Sequence, residues 1–318
     1  MVRGLGADDL CRERSWNTRP RGEIQLAAWW RYRIPDAPSL RLPGTCQAAR
    51  HDMNTLVSFE PLWRATVFFS VLALLLIWER RAGLRTARPA RAYLPNILLF
   101  LTNTVVTRIV SVYALLGVSL YGSANDIGLL RSLGASSWIG FLPAIVALDL
   151  GVYAQHRLFH RVVWLWRLHA VHHSDTWFDA STGLRFHLLE ALVSLAVKAA
   201  LVLAIGASPA ATLGFEVLLS SASLFSHANT RLPAGLETAL RRVLVTPDMH
   251  RIHHSARSDE HHRNFGFLLS CWDRWLGSYL ARSRGDPVRM DIGLESFRAP
   301  GQQTFAALMT QPLHEAPR

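Results

Sequence analysis

Histidines at helical spacing are the residues of this sequence whose types and pattern could do chemistry. Among 14 histidines, the pattern HxxxH occupies residues 156–160, and the pattern HxxHH occupies residues 169–173 and again residues 250–254. Residues three and four apart lie on one face of a helix, so each cluster presents its imidazoles in one direction. The candidate ligands are His156, His160, His169, His172, His173, His250, His253 and His254.

This repeated spacing predicts a metal site. Neutral imidazole is a common ligand of iron, zinc and copper, and eight such side chains are too many for one ion. The three cysteines show no CxxC spacing, so the ligand atoms must be nitrogen or oxygen. A pH-sensing histidine patch is the alternative, but it would not require the repeated spacing.

Five apolar runs must position these clusters. They cover residues 59–78, interrupted by Arg64, and residues 93–121, 138–155, 188–207 and 210–225. A helix needs about 20 apolar residues to cross a bilayer, so the runs predict a multi-pass integral membrane protein. Buried helices of a soluble protein are the weaker interpretation of five such runs.

Basic residues predict the orientation in the membrane. The loop after the first run contains Arg80, Arg81, Arg85, Arg88 and Arg91. Short loops rich in Arg lie on the cytoplasmic side, and counting the runs from this loop places every histidine cluster on that side. The same loops account for the net charge of +11, which argues against a nucleic-acid-binding protein.

Residues around the clusters carry a family resemblance. Segments 153–160, 165–174 and 246–255, followed by Asn264-Phe-Gly266 and Trp272-Asp-Arg274, resemble the fatty acid hydroxylase/sterol desaturase superfamily of membrane di-iron oxygenases. The resemblance runs from about Trp138 to Tyr279, in order, spacing and flanking residues. In that pattern a further histidine follows the last membrane hairpin, and His227 stands there as a ninth ligand.

The resemblance implies the fold and the cofactor. It implies an all-α integral membrane protein with about four to five membrane-embedded helices and a cytoplasmic helical cap that carries a histidine-ligated dinuclear site. Two Fe ions are the implied metals, and zinc is expected as an adventitious substitute. The expected domains are a basic extension at 1–52, which is disordered or follows a start codon placed too early, membrane helices at 53–136, the di-iron domain at 137–284, and a tail at 285–318.

The implied reaction is the oxidation of a lipid by O2, and several alternatives stay open. The lipid is sterol-like or fatty-acyl, and hydroxylation and desaturation begin with the same hydrogen abstraction. Related activities are an alkylglycerol-type ether-lipid monooxygenase, which needs a pterin, and a carotenoid hydroxylase. A zinc-dependent membrane hydrolase is the alternative from another class, although no cluster contains the Glu of an HExxH motif.

The reaction also requires an electron donor. A small acidic electron-transfer protein, of the ferredoxin, rubredoxin or cytochrome b5 type, would dock on the cytoplasmic cap. The positive charges expected to attract it are those of Arg157, Arg161, Arg167, Arg251, Arg257, Arg263 and Arg274.

Five residues near the clusters have less certain roles. We expect His187 to support a ligand or face the substrate, with direct ligation as the lesser alternative. His261 and His262 fall in the polar stretch 255–263, which predicts a solvated loop. Asp149 could orient a ligand imidazole or form a helix-packing hydrogen bond. Lys198, within an apolar run, should face the protein interior or extend towards the interface.

Overall fold

The computed structural model of the protein describes residues 44–110, 114–135 and 137–314. Within them the structure is helical, and two isolated β-bridges, Leu244 with Leu269 and Ser255 with Ile292, are the extended pairings. The α-helices are α1 (Gly44–Ala82), α2 (Leu94–Val110), α3 (Ala114–Ala124), α4 (Leu129–Ser132), α5 (Phe141–Phe159), α6 (Val163–His173), α7 (Leu188–Ile205), α8 (Pro209–Ser226), α9 (Ala234–Leu240), α10 (Pro247–His253), α11 (Ser258–His261), α12 (Cys271–Trp275) and α13 (Phe305–Thr310). Short 3-10 turns lie at Ala90–Tyr93, Ala180–Leu184, Glu295–Phe297, Pro300–Gln303 and Gln311–Leu313.

The chain divides into two compact units, residues Met1–Ala65 and Thr66–Arg318. The described residues of the first unit are helical throughout, and the second unit contains the predicted ligand histidines. The predicted extension at 1–52 falls for the most part outside the described residues.

Three helical segments of the described chain are long and apolar enough to cross a membrane. They are Pro61–Ala82, Ala90–Ser132 and Leu188–Ile205, and they correspond to three of the five predicted runs. The other two runs form α5 and α8, which are as long as Leu188–Ile205 but less apolar. The all-helical class is therefore confirmed, with three candidate membrane spans.

The core of the second unit lies where α5 packs between α7 and α8. Ala144, Leu148 and Val152 recur along one face of α5 and contact Val202 of α7 and Phe215 of α8. This spacing of three and four residues is that of an apolar helix stripe. The opposite end of the same buried face carries the first histidine cluster, so the packing fixes the direction in which that cluster points.

The turn between α7 and α8 was predicted at Ser208–Pro209, and the helices break there. Gly206 ends α7 in the left-handed conformation, with φ of 75°. The Ser208 hydroxyl caps α8 by accepting from the Ala211 amide at 3.2 Å, and Pro209 starts the helix. A proline in the first turn costs no hydrogen bond, because the first amides of a helix have no carbonyl partner inside it.

A buried ion-pair network holds the segment that follows α6. Arg88 donates to Asp175 at 2.6 Å and to Asp179 at 2.5 Å, and the Arg88 and Asp175 side chains are each 1% exposed. Burial alone would raise the pKa of Asp175, but the Arg88 and Arg185 guanidinium groups outweigh it and hold that pKa at about 2. Asn96 adds an amide hydrogen bond to Asp175 at 3.2 Å. The sequence had suggested only that Arg88 sets membrane orientation.

Replacing Arg88 by Gln should lower the thermal unfolding midpoint of the detergent-solubilised chain strongly. The change leaves two carboxylates buried without their cation, and breaking a buried pair in this way costs about 3–5 kcal/mol. The folded-state pKa of Asp175 is depressed, so the deficit should be constant between about pH 5 and pH 8 and shrink only as the pH falls below about 4. Arg91→Gln, at an exposed position, is the control, and an equal loss in both variants would contradict the role of Arg88.

Candidate metal centre

Two groups of buried histidines lie within the second unit. In each group one ring nitrogen per residue falls within 4.8 Å of all the others. The first group consists of His156, His160, His169, His173 and His253, and the second of His172, His227, His250 and His254. All nine residues predicted as ligands are therefore brought together, including His227, which rested on the family resemblance.

Helix geometry explains how one motif supplies both groups. In α6, His169 and His173 are four residues apart and belong to the first group, whereas His172 belongs to the second. A residue turns by about 100° about the helix axis relative to its neighbour, so His172 and His173 point to different groups. The 250–254 motif divides in the same way, with its middle histidine in the first group and its outer two in the second.

Backbone carbonyls fix the orientation of four imidazoles. Each carbonyl can only accept, so the facing Nδ1 carries the proton and leaves a lone pair on Nε2. The pairs are His156 with Phe265 at 2.7 Å, His253 with Arg263 at 2.7 Å, His172 with Arg185 at 3.2 Å and His227 with Ser223 at 2.6 Å. These rings therefore present acceptor atoms to the interior of the two groups.

The facing nitrogens fit a bound cation. The Nε2 atom of His156 lies 3.0 Å from that of His169 and 3.1 Å from that of His253. Two ligands bound at right angles to one ion at about 2.1 Å would lie about 3 Å apart, which matches this spacing. The Nε2 atoms of His160 and His173 are buried with no hydrogen-bond partner. Unpaired buried acceptors are costly unless a metal ion engages them.

Burial favours the neutral form of several of these imidazoles. Each of the nine side chains is at most 3% exposed. Burial, reinforced by the neighbouring imidazoles, lowers the pKa of His172, His173 and His254 well below the ordinary value. A neutral ring is the form that binds a metal ion, so the site is prepared for cations at physiological pH.

Glu190 supports one ligand candidate, and the sequence analysis did not assign it. It lies in the first turn of α7, and its Oε1 atom accepts from His169 Nδ1 at 2.6 Å. A carboxylate behind a metal-binding imidazole fixes the ring and raises its basicity. Asp149 had been considered for such a role, but it accepts instead from the Trp272 indole at 2.8 Å and the Leu269 amide at 3.1 Å. The packing alternative therefore describes Asp149.

The Asn264-Phe-Gly266 and Trp272-Asp-Arg274 motifs act together behind the first group. Asp273 accepts from the amides of Phe265 at 2.7 Å and Gly266 at 2.9 Å. A Cβ atom at Gly266 would lie 2.9 Å from the Asp273 carboxylate, so a larger residue would disturb this turn. The turn aims the Phe265 carbonyl at His156. These motifs thus position a ligand candidate through the backbone.

His187, which lies in sequence between the second and third clusters, belongs to neither group. Its Nδ1 accepts from the Leu189 amide at 3.1 Å and caps α7, and its Nε2 donates to the Met309 carbonyl at 3.2 Å. Its place is therefore at the helix end that carries Glu190, which is a supporting role. Lys198 is half-buried within α7.

The predicted solvated loop at 255–263 is wrong for His261. That side chain is 2% exposed, and its ring stacks on Trp166 at 5.5 Å between centroids. The polar composition of residues 255–263 suggested an exposed loop. Glu260 is nevertheless buried and accepts from the Arg284 amide at 2.7 Å, and this bond holds α11 against the domain. His262 is half-buried, and its Nδ1 lies 3.2 Å from that of His160.

One arginine assigned to the positive surface is buried instead. Arg251 is 0% exposed, donates to the Thr230 carbonyl at 2.9 Å and lies over the Phe178 ring at 5.1 Å. It also pairs with Asp248. The residue between two ligand candidates on α10 therefore stabilises the helix from inside, and it cannot contact a partner protein.

Comparison with known proteins agrees with this geometry. The sequence profile of the fatty acid hydroxylase family matches residues 141–278. The chain is 33% identical over 169 residues to the ornithine lipid hydroxylase OlsE of Rhizobium tropici, covering 53% of this chain and 48% of that protein. It is 32% identical over 149 residues to the alkylglycerol monooxygenase of Danio rerio and 30% identical to that of Homo sapiens, covering 46% of this chain and 32% of each relative.

The matched region therefore spans about half of the ornithine lipid hydroxylase and about a third of the alkylglycerol monooxygenases. No solved structure is similar enough to match the chain. The matched residues include all nine histidines of the two groups and the Asp273 turn behind them. Residues 141–278, with their histidine-rich site, therefore form a domain of the fatty acid hydroxylase family.

Proposed function

We propose that the protein is an O2-dependent di-iron membrane oxidoreductase that hydroxylates or desaturates a lipid. The observation that carries this proposal is the pair of buried histidine groups, with five and four convergent ring nitrogens. Membership in the fatty acid hydroxylase family and the name of the relative in Rhizobium tropici, an ornithine lipid hydroxylase, support hydroxylation of a lipid. The nine histidines are the proposed ligands, five for one ion and four for the other.

The residues of the chain would orient, shield and support this centre. Bound iron would supply the activation of O2 that attack on an unactivated C–H bond requires. Glu190 and the four backbone carbonyls hold the imidazole rings, so that little reorganisation is needed during the reaction. Phe159, Trp166 and Phe265 are buried beside the first group and exclude water from it.

The lipid class is a further proposal. The substrate would be sterol-like or fatty-acyl, and hydroxylation is favoured over desaturation by the name of the ornithine lipid hydroxylase. Oxidation of an ether lipid is the second candidate, because several alkylglycerol monooxygenases match the same region of the chain. Comparing the products from a fatty-acyl lipid and an alkylglycerol by mass spectrometry separates these two reactions.

The membrane arrangement is proposed as well. Pro61–Ala82, Ala90–Ser132 and Leu188–Ile205 would anchor the chain as a multi-pass protein. The arginine-rich loop between the first two segments would be cytoplasmic, and the histidine groups would lie on the same side, as the count over all five apolar runs predicts. Accessibility of cysteines introduced at exposed loop positions to an impermeant thiol reagent tests this orientation.

Purified protein should contain about two iron ions per chain, and His172→Ala or His253→Ala should lose metal together with activity. One residue is taken from each group, and each variant removes a convergent nitrogen that the remaining ligands cannot replace. The measurement is elemental analysis combined with lipid-dependent O2 uptake. Zinc alone can reflect its higher intrinsic affinity for imidazole sites. Stoichiometric zinc with no O2 uptake after loading with iron would refute the oxygenase.

Glu190→Gln should weaken iron binding by about 10- to 100-fold, because an amide holds the His169 ring less well than a carboxylate does. Competition with a chelator measures the affinity. Asp149→Asn is the matched control, since Asp149 is an equally buried carboxylate that contacts Trp272 and no histidine. Equal losses in the two variants would show that any buried carboxylate of this region matters, and would contradict the proposed support of His169.

A small acidic electron-transfer protein is the proposed donor. When one oxygen atom of O2 enters the lipid, the other must be reduced to water, so electrons have to come from outside the chain. Donor-supported turnover should fall as salt rises, because charges are screened beyond about 8 Å at physiological ionic strength. Arg257→Glu, at a side chain 51% exposed, should lower the second-order rate several-fold with metal content unchanged. An unchanged rate at low salt would refute charge-guided docking.

A further inference from the structure

A basic cavity opens beside the first histidine group. Its volume is about 390 Å³, within the range of small-molecule sites. The lining residues are Arg157, His160, Arg161, His262, Arg263, Phe265, Gly277 and Ser278. His160 belongs to the first group, and Phe265 supplies the carbonyl that orients His156. The cavity therefore leads from the surface to the walls of the proposed metal centre.

Three guanidinium groups of this cavity lack a carboxylate partner within the part of the chain that the structure describes. Arg157 donates to the Leu276 carbonyl at 3.1 Å and Arg263 to the Gly277 carbonyl at 3.2 Å. Each bond uses one nitrogen of the guanidinium group, and a neutral carbonyl leaves the positive charge of that group uncompensated. Arg161 is exposed at the cavity wall. Unpaired guanidinium groups that converge on one cavity match the planar oxygens of a phosphate or carboxylate.

A ridge of exposed apolar side chains ends at this cavity. Leu142, Val146, Leu150, Ala154 and Leu158 recur at four-residue spacing along α5 and are all exposed, the leucine at 142 by 67% and that at 158 by 50%. Such a row forms one continuous ridge on a helix surface. It is about 24 Å long at 1.5 Å per residue, which is comparable to the length of a lipid chain.

Exposed aromatic residues near the cavity in sequence indicate the depth of the membrane surface. Trp164 is 72% exposed and Trp275 is 73% exposed, and each stands within three residues in sequence of a residue that lines the cavity. Tryptophan and arginine are both favoured where hydrocarbon meets the lipid headgroups. The ridge would then face the hydrocarbon, and the arginines would lie at headgroup level.

We propose that this cavity binds the oxyanionic headgroup, a phosphate or a carboxylate, of a membrane lipid whose chain lies along the α5 ridge. The inference rests on the proposed function in one respect, that this lipid is the substrate. Because His160 lines the same cavity, a headgroup held by Arg157, Arg161 and Arg263 would bring its adjoining carbons to the metal centre. Oxidation should therefore occur near the headgroup, and the chain terminus should remain unmodified.

An acidic protein donor is a weaker occupant for this cavity. The wall is concave, and the exposed apolar ridge continues from it along α5, whose other face packs against α7 and α8. A lipid satisfies the charged cavity and the apolar ridge together, whereas a soluble acidic protein satisfies only the charge.

Calorimetric titration of the full chain in neutral detergent tests the proposal without turnover. The probes are dihexanoylphosphatidate, hexanoylglycine, dihexanoylphosphatidylcholine and inorganic phosphate. The two anionic amphiphiles should bind at least about tenfold more tightly than the phosphatidylcholine, because charge-assisted hydrogen bonds to guanidinium are strong. They should also bind more tightly than inorganic phosphate, which lacks a chain to contact the α5 ridge.

Removing two guanidinium groups should abolish this preference. Arg157→Gln with Arg161→Gln should weaken binding of the anionic amphiphiles about tenfold or more, with metal content unchanged. The matched control is Arg282→Gln with Arg289→Gln, two exposed arginines that do not line the cavity. Leu158→Asn, at the ridge position nearest the cavity in sequence, should weaken the amphiphiles and leave inorganic phosphate unaffected.

The outcomes separate this proposal from the proposed function. Unchanged lipid affinity in the cavity double variant would overturn the headgroup site, even if O2 uptake persists. Lipid affinity that survives while the KM for an acidic donor rises would assign the cavity to protein docking and equally overturn it. If the unaltered chain takes up no O2 but binds the lipid, and the cavity double variant loses that lipid affinity, the headgroup site is supported and only the oxygenase is refuted.

Discussion

Mutual repulsion among buried, neutral imidazoles is the constraint on which the rest of the structure depends. Nine rings turn nitrogen atoms towards two small volumes, and several of these atoms lie 3.0–3.2 Å apart with lone pairs facing each other. Protonating the rings would place positive charges side by side without water, and the depressed pKa of His173 reflects that cost together with burial. A cation at each centre would remove the conflict, so the arrangement suits bound ions whose charge its own side chains do not supply.

Most of the polar groups that hold these rings consequently carry no net charge, and Glu190 behind His169 is the charged partner among them. Four acceptors are backbone carbonyls, and the carbonyls of Phe265 and Arg263 stand on the loop that Asp273 and Asn264 tie down. On the other side, Arg88 ties Asp175 and Asp179, just beyond α6, to the segment after the first helix. The ion pairs of Arg88 with Asp175 and Asp179 therefore stabilise the scaffold, and they do so without contacting the histidine rings directly. Three of these bonds, His156 with Phe265 and Arg88 with Asp175 and with Asp179, join residues about 90 or more positions apart in sequence.

The sequence predicted those parts of this site that depend on neighbouring residues, and missed those that depend on contacts between distant residues. Periodicity is local, and it identified the three histidine motifs and the break between α7 and α8 at Ser208. His227 required a family pattern, because a single histidine after a helix has no periodicity of its own. Glu190 remained unassigned, since its contact with His169 depends on how α7 meets α6. His261 was misjudged because buried hydrogen bonds of Glu260 can draw a polar stretch into the interior.

The division of each HxxHH motif between the two groups makes α6 and α10 common walls of both centres. His172 and His173 are neighbours in sequence yet serve different volumes, so no movement of α6 can adjust one centre and leave the other unchanged. The separation of the centres is consequently set by the pitch of two short helices, whose geometry varies far less than that of a loop. An event that orders α6 and α10 at one centre also assembles most of the other, so the two centres form a single cooperative unit.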